Sequence, residues 1–169
     1  YFDHPDKEVD VGCLDISAAY NFPEIPLNMR SLKFEEFSDY KNEDLYCGQN
    51  IVFVGYPTGF YDRKNFLPIF RNGNISSIPD INFNGKRQLL IDAQVFPGSS
   101  GSPVFVSHNG KYKLLGIIAE SAFSSLDFTE VETVAEEKEK QKIPIKWIGL
   151  GILFKLDTIK EVLDLVPIN

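Results

Sequence analysis

The segment Phe96-Pro97-Gly98-Ser99-Ser100-Gly101-Ser102-Pro103 puts a serine where the nucleophile of an acyl transfer could stand. Such chemistry needs a hydroxyl raised on a tight turn, with backbone N–H groups aimed at the place where an oxyanion forms. Gly98 can take backbone angles that aim its N–H there at no Cβ cost. Ser100 brings the hydroxyl and a second N–H, Gly101 leaves room for a substrate, and Pro103 enters the next element with a fixed φ. The same residues also suit an ordinary turn between strands, where Gly, Ser and Pro dominate for unrelated reasons.

The elements that must position this loop read mostly as short strands. Val9–Ile16 alternates and reads as one, while residues 18–46 read as an irregular connection with one helical turn in the acidic stretch Phe34–Asp39. From residue 49 onward, strands alternate with turn signals: Ile51–Val54, then Leu67–Ile78, Gln88–Asp92 and Pro103–Val106. Asn109-Gly110 predicts a tight hairpin that returns through Leu114–Ala119. Residues 130–142 are mostly charged and read as a solvated loop, followed by a strand at Trp147–Phe154. A terminal helix is expected after it, capped by Asp157, with Ile159, Val162, Leu163 and Val166 on one face and Pro167 at its end. Many strands and one helix predict an all-β barrel, rich in the aromatics that suit pleated faces (14 Phe and 7 Tyr).

Bulk properties narrow the chemistry. With 43% hydrophobic and 24% charged residues, the 169-residue chain can build a real core. A net charge of −7 and no basic stripe argue against a nucleic-acid partner. No apolar run is long enough to span a membrane, and the start at Tyr1 resembles no signal peptide. Cys13 and Cys47, each beside apolar residues, read as free, packed thiols, which favours a reducing, cytoplasmic compartment; one disulfide between them stays open. No Cys/His cluster, His-Glu-x-x-His or phosphate-binding glycine loop is present, so no metal and no cofactor is expected.

Ile91–Pro103 resembles the nucleophile segment of HtrA-type and related bacterial trypsin-like serine peptidases. The resemblance extends to Val52–Gly59 and Arg71–Ser77 upstream, and to Leu115–Ile118, Ile148–Ile152 and Ile159–Leu163 downstream. It implies a chymotrypsin-like double β-barrel: a remnant of the first barrel and the inter-barrel connection in residues 1–48, a complete second barrel in 49–155, and a C-terminal helix in 156–169. It implies Ser100 as nucleophile of an endopeptidase, with the backbone N–H groups of Gly98 and Ser100 as the oxyanion hole.

In that family the histidine precedes the aspartate, which precedes the serine. Asp10-Val11-Gly12-Cys13-Leu14 resembles the aspartate strand, so Asp10 is the implied orienting acid, although it could simply begin a strand. No credible base is visible. His4 lies too close to Asp10 for the family's histidine position, and His108 sits in the polar hairpin, where it should be exposed. The expectation is a piece of a longer protein whose earlier part carries the base, rather than a degenerate relative, because residues 1–17 read as a barrel tail with an unpaired edge. Alone, the chain should then have little activity. Ser99, where chymotrypsin-like enzymes often carry an Asp that pairs with a freed N-terminus, argues against that mode of activation.

The resemblance also implies that Gln94, Val95, Phe96 and Pro97 line the primary side-chain pocket. None is acidic, so a neutral or apolar substrate side chain is expected there rather than Lys or Arg. Ala119, Glu120 and Ser121 match the segment that pairs with the substrate backbone as an added strand. The expected partners are a peptide or protein substrate and the missing N-terminal segment. A non-catalytic peptide-binding domain of the same fold is the rival reading. An α/β-hydrolase esterase is disfavoured, because Ser100 runs into a strand instead of a helix.

Overall fold

The computed structural model describes residues 1–18, 31–42, 44–124 and 146–167. The charged stretch 130–142 lies outside the described residues.

Six strands close into an antiparallel barrel: β3 (Asn50–Gly55), β4 (Ile69–Ile75), β5 (Gln88–Asp92), β6 (Pro103–His108), β7 (Lys111–Ser124) and β8 (Lys146–Lys155). Their order around the barrel is β3-β4-β5-β8-β7-β6, and β6 closes on β3 through Ile51↔Val106 and Phe53↔Val104. Alternation builds this core. Ile51 and Phe53, Leu89 and Ile91, Val104 and Val106 recur at period two, and all are buried. Asn109 and Gly110 both have positive φ, 49° and 73°, as the tight β6–β7 hairpin requires.

Outside the barrel, β1 (Phe2–Asp3) and β2 (Gly12–Cys13) form a two-residue pair. The expected strand Val9–Ile16 is therefore mostly irregular. Val9 N–H donates to the Asp6 carbonyl, and Val11 N–H donates to the Val9 carbonyl, closing a tight turn around Asp10. Residues 34–36 make the expected single turn, and the chain beyond it runs along β7, with Ser38 N–H bonded to the Leu114 carbonyl.

The helix α1 (Leu156–Leu163) starts directly from β8. Lys155, not Asp157, stands at its N-cap position; Asp157 lies in the first turn, where its charge favours the helix dipole without a capping bond. Thr158 Oγ1 donates to the Lys155 carbonyl at 2.7 Å. Of the expected apolar face, Val162 is fully buried and Ile159 packs beside it, joined by Leu156 from the helix start. Both cysteines are free thiols, but Cys47 is exposed and only Cys13 is partly covered.

Among the described residues, no helix is long and apolar enough to cross a membrane.

Candidate active site

The chain leaves β5 at Asp92 and crosses to β6 through residues 93–102, and backbone bonds pin this crossing at several points. Ala93 N–H donates to the Gly149 carbonyl (2.9 Å), Ser99 N–H to Phe96 (2.9 Å) and Ser102 N–H to Ser99 (3.0 Å). Gly101 N–H donates to the Ile118 carbonyl on β7, and Ile118 N–H returns a bond to Ser102. The Pro97 carbonyl accepts from Thr58 N–H at 2.7 Å, tying the loop to the turn after β3.

The consequence is a sharp corner. Ser99 and Ser102 are buried, while Ser100 between them is exposed. Gly98 and Gly101 hold φ of +87° and +80°, a region costly for residues with a Cβ. Gly98 is required twice over, since a Cβ there would come 2.8 Å from the Tyr56 carbonyl oxygen. Among the described residues, the N–H groups of Gly98 and Ser100 donate to no protein acceptor, although the N–H groups of Ser99, Gly101 and Ser102 all do. Two free donors on either side of an exposed hydroxyl form an arrangement able to hold an anion.

The Ser100 hydroxyl donates to the Ala119 carbonyl at 2.9 Å. Ala119 sits at an irregularity in the β7–β8 register, between Ile118↔Leu153 and Glu120↔Ile152. On its other side β7 pairs with β6 only as far as Ile117↔Pro103. From Ala119 through Ser124 that edge of β7 has no strand partner among the described residues. Glu120 is exposed on this edge, and Ser121 pairs by backbone with Gly151.

Gln94, Val95 and Phe96 border a cavity of about 130 Å³, together with Gly149 and Leu150 from β8. Pro97 is not part of that lining; it is exposed and spends its carbonyl on Thr58. Against Phe96 of this lining lies Arg71 of β4, its guanidinium 5.0 Å from the Phe96 ring centroid and 5.3 Å from that of Phe53. Burial pulls its pKa down from the usual arginine value. The sequence reading did not single out Arg71, although its spacing from Gly73 and Ile75 already put it on the inward side of β4.

Asp10 is exposed at the tip of its turn, between Val9 and Val11, which are buried against Phe154 and Val162. Ala119 packs against the same cluster, so the residue that accepts the Ser100 hydroxyl shares an apolar cluster with the two valines that flank Asp10. Among the described residues, no hydrogen bond reaches the Asp10 carboxylate.

The two histidines of the chain are both occupied elsewhere. His4 is buried, with Nε2 2.8 Å from Glu161 Oε2 and Nδ1 accepting the Asp6 N–H at 3.0 Å. Arg87 completes this cluster through a 2.6 Å bond from Nη1 to Glu161 Oε1. The Arg87 hydrogen bond holds the Glu161 carboxyl below its ordinary range against the opposing effect of burial, and the Arg87 charge and His4 add smaller effects in the same direction as the bond. His108 lies five residues along β6 from Pro103, in the β6–β7 hairpin, with Asn109 Nδ2 against its Nε2. It is half-buried where the sequence reading had it exposed.

No curated protein matches the chain. The family model of the trypsin-like peptidase domain matches residues 2–117, from β1 through the serine corner and into β7. A closed six-stranded barrel, a C-terminal helix and a serine corner between β5 and β6 accompany that match, and the chain belongs to the trypsin-like peptidase domain family.

Proposed function

We propose that Ser100 is the nucleophile of a serine endopeptidase and forms an acyl-enzyme with its substrate. The observation that carries this reading is the pair of unspent N–H groups, Gly98 and Ser100, around an exposed hydroxyl on the open edge of β7. A substrate strand laid on that edge, along Ala119, Glu120 and Ser121, brings its scissile carbonyl to Ser100 Oγ. Attack turns the carbonyl oxygen into an anion between the two N–H groups, while a base takes the hydroxyl proton. Collapse returns that proton to the leaving amine, and water then cleaves the ester by the same steps.

The base is the part this chain does not supply. His4 has both ring nitrogens committed to Glu161 and Asp6, and His108 sits in a distant hairpin. In this reading the imidazole comes from residues beyond these 169, with Asp10 orienting it. The chain alone is then limited to roughly the 10³–10⁴-fold over water that binding and an oxyanion hole provide. The commitment of both histidines equally favours a peptide-binding domain that has lost catalysis.

A fluorophosphonate probe separates the two readings. The full-length protein should label at Ser100, Ser100→Ala should abolish the label, and the 169-residue chain should label slowly. A folded full-length protein that stays unlabelled would leave the binding domain standing and remove the peptidase.

A further inference from the structure

Arg71 is an inward-facing arginine on a barrel strand, and its surroundings give it a purpose. In the β3–β4 register it lies directly opposite Phe53, one of the most buried residues of the core. Two residues further on, Gly73 stands against Ala93, so closely that a Cβ would come 2.8 Å from the alanine's own. Two more residues on, Ile75 pairs with Ile91 of β5. β4 thus runs antiparallel beneath the segment that continues from β5 into the pocket wall: Ile75 meets Ile91, Gly73 meets Ala93, and Arg71 meets Phe96.

Phe96 is therefore shared. It borders the 130 Å³ cavity, and its ring carries the guanidinium. Arg71 Nη1 is buried and has no hydrogen-bond partner among the described residues. A guanidinium N–H taken from water without an acceptor is unfavourable, and an acceptor that arrives with a ligand relieves it. Among the described residues, the cavity lining of Gln94, Val95, Phe96, Gly149 and Leu150 contains no carboxylate that could do so. Asp92 at the end of β5 and Glu120 on β7 are both exposed. The apolar wall leaves the field of Arg71 poorly screened inside the cavity.

We propose that Arg71 sets the side-chain preference of this pocket, which takes a substrate side chain ending in a carboxylate, glutamate above the shorter aspartate. This deepens the peptidase reading and rests on it for the position of the pocket beside the scissile bond. It replaces the neutral or apolar preference expected from residues 94–97 alone. A lysine or arginine side chain is repelled, and a leucine leaves Nη1 unpaired, whereas a carboxylate supplies the missing acceptor through a charge-assisted bond.

The test uses full-length protein and two readouts. In the first, peptides that end in Glu, Gln, Leu or Lys, as the acyl product of cleavage would, are titrated by fluorescence anisotropy, which needs no catalysis. The Glu peptide should bind about tenfold tighter than the Leu or Lys peptide, and Arg71→Met should erase that preference while leaving Leu binding within about threefold. Arg71→Gln serves as the second variant if Arg71→Met does not fold. In the second readout, fluorophosphonate labelling at Ser100 reports the nucleophile separately. If labelling fails while the Glu preference and its dependence on Arg71 hold, the nucleophile reading falls and the pocket assignment stands. Equal binding of Glu and Leu peptides, or a Glu preference that survives loss of the guanidinium, overturns the assignment.

Discussion

Around Ser100 the chain is held by its backbone; around Asp10 it is held by side chains. The serine corner takes its shape from main-chain bonds to β7, β8 and the turn after β3, and the side chains on it are small. The Asp10 turn is closed by two main-chain bonds of its own, but its attachment to the rest of the molecule is different. His4, Arg87 and Glu161 converge from the N-terminal segment, the start of β5 and α1, while Val9 and Val11 pack beneath. A backbone-held corner presents its donors rigidly and tolerates few substitutions at its glycines. A side-chain seam can be weakened one partner at a time. Damage to the corner should therefore appear in the chemistry, and damage to the seam in stability.

The largest effect is expected at Gly98. Alanine there meets a φ of +87° and the Tyr56 carbonyl 2.8 Å away, so the peptide must rotate or shift and withdraw one anion donor. Loss of one such donor lowers kcat by about 10²–10³. In full-length protein, Gly98→Ala should show that fall with little change in KM. Gly101→Ala is the control, because its φ of +80° is similar but a Cβ there has nothing within 4 Å. It should cost about 1 kcal/mol of stability and, because the Gly101 N–H is spent on the Ile118 carbonyl while its open side faces the substrate, raise KM more than it lowers kcat. Equal kcat losses at the two glycines would break the distinction between donor geometry and backbone strain.

The contrast also explains what could be read from the sequence. The corner and its strands were legible because their rules are local: Gln88–Asp92 is the strand expected, and Asn109-Gly110 turns where its φ preferences say it must. The seam was not. Val9 and Val11 alternate around Asp10 as they would in a strand, and the same alternation of buried and exposed residues arises in a tight turn with both valines pressed onto α1. The spacing of His4 from Asp10 excludes the family's histidine position, but nothing near it in sequence announces partners 83 and 157 residues away. Arg71 fell between the two cases. Its inward side followed from strand period, yet only the register that sets β4 beneath Phe96 gives that side a role.

A middle-sized effect is expected at His4. Its side chain is fully buried, and its removal leaves Glu161 Oε2 and the Asp6 N–H without their partners as well as a void. His4→Ala should lower unfolding free energy by about 1–3 kcal/mol, from the void left by a fully buried ring and the loss of its hydrogen bonds, read from a denaturant midpoint shift at constant m-value. If the seam only positions Asp10, labelling of Ser100 in the folded protein should fall far less than kcat does in Gly98→Ala. A His4→Ala protein as stable as the wild type would show that β1, β2 and the buried valines suffice to hold the turn.

The smallest effect is the acid dependence of the same seam. Glu161 is held below its ordinary carboxyl range, first by the Arg87 hydrogen bond and then by the Arg87 and His4 charges. A carboxyl whose pKa is lower folded than unfolded contributes stability that is fully present above the unfolded value, and the contribution is lost as pH falls through the folded value. Stability from this group should therefore hold at pH 7 and fade below pH 4.5, the group's ordinary value. Because about half of the Glu161 side chain is exposed to solvent, the loss should stay under about 1 kcal/mol. Glu161→Gln keeps the shape and gives up the charge, so its unfolding midpoint should start lower at pH 7 and converge on the wild type as the pH falls below the ordinary carboxyl value. Parallel curves across that range would mean that Arg87 and His4 hold the helix through hydrogen bonding and packing alone, with no contribution from the charge.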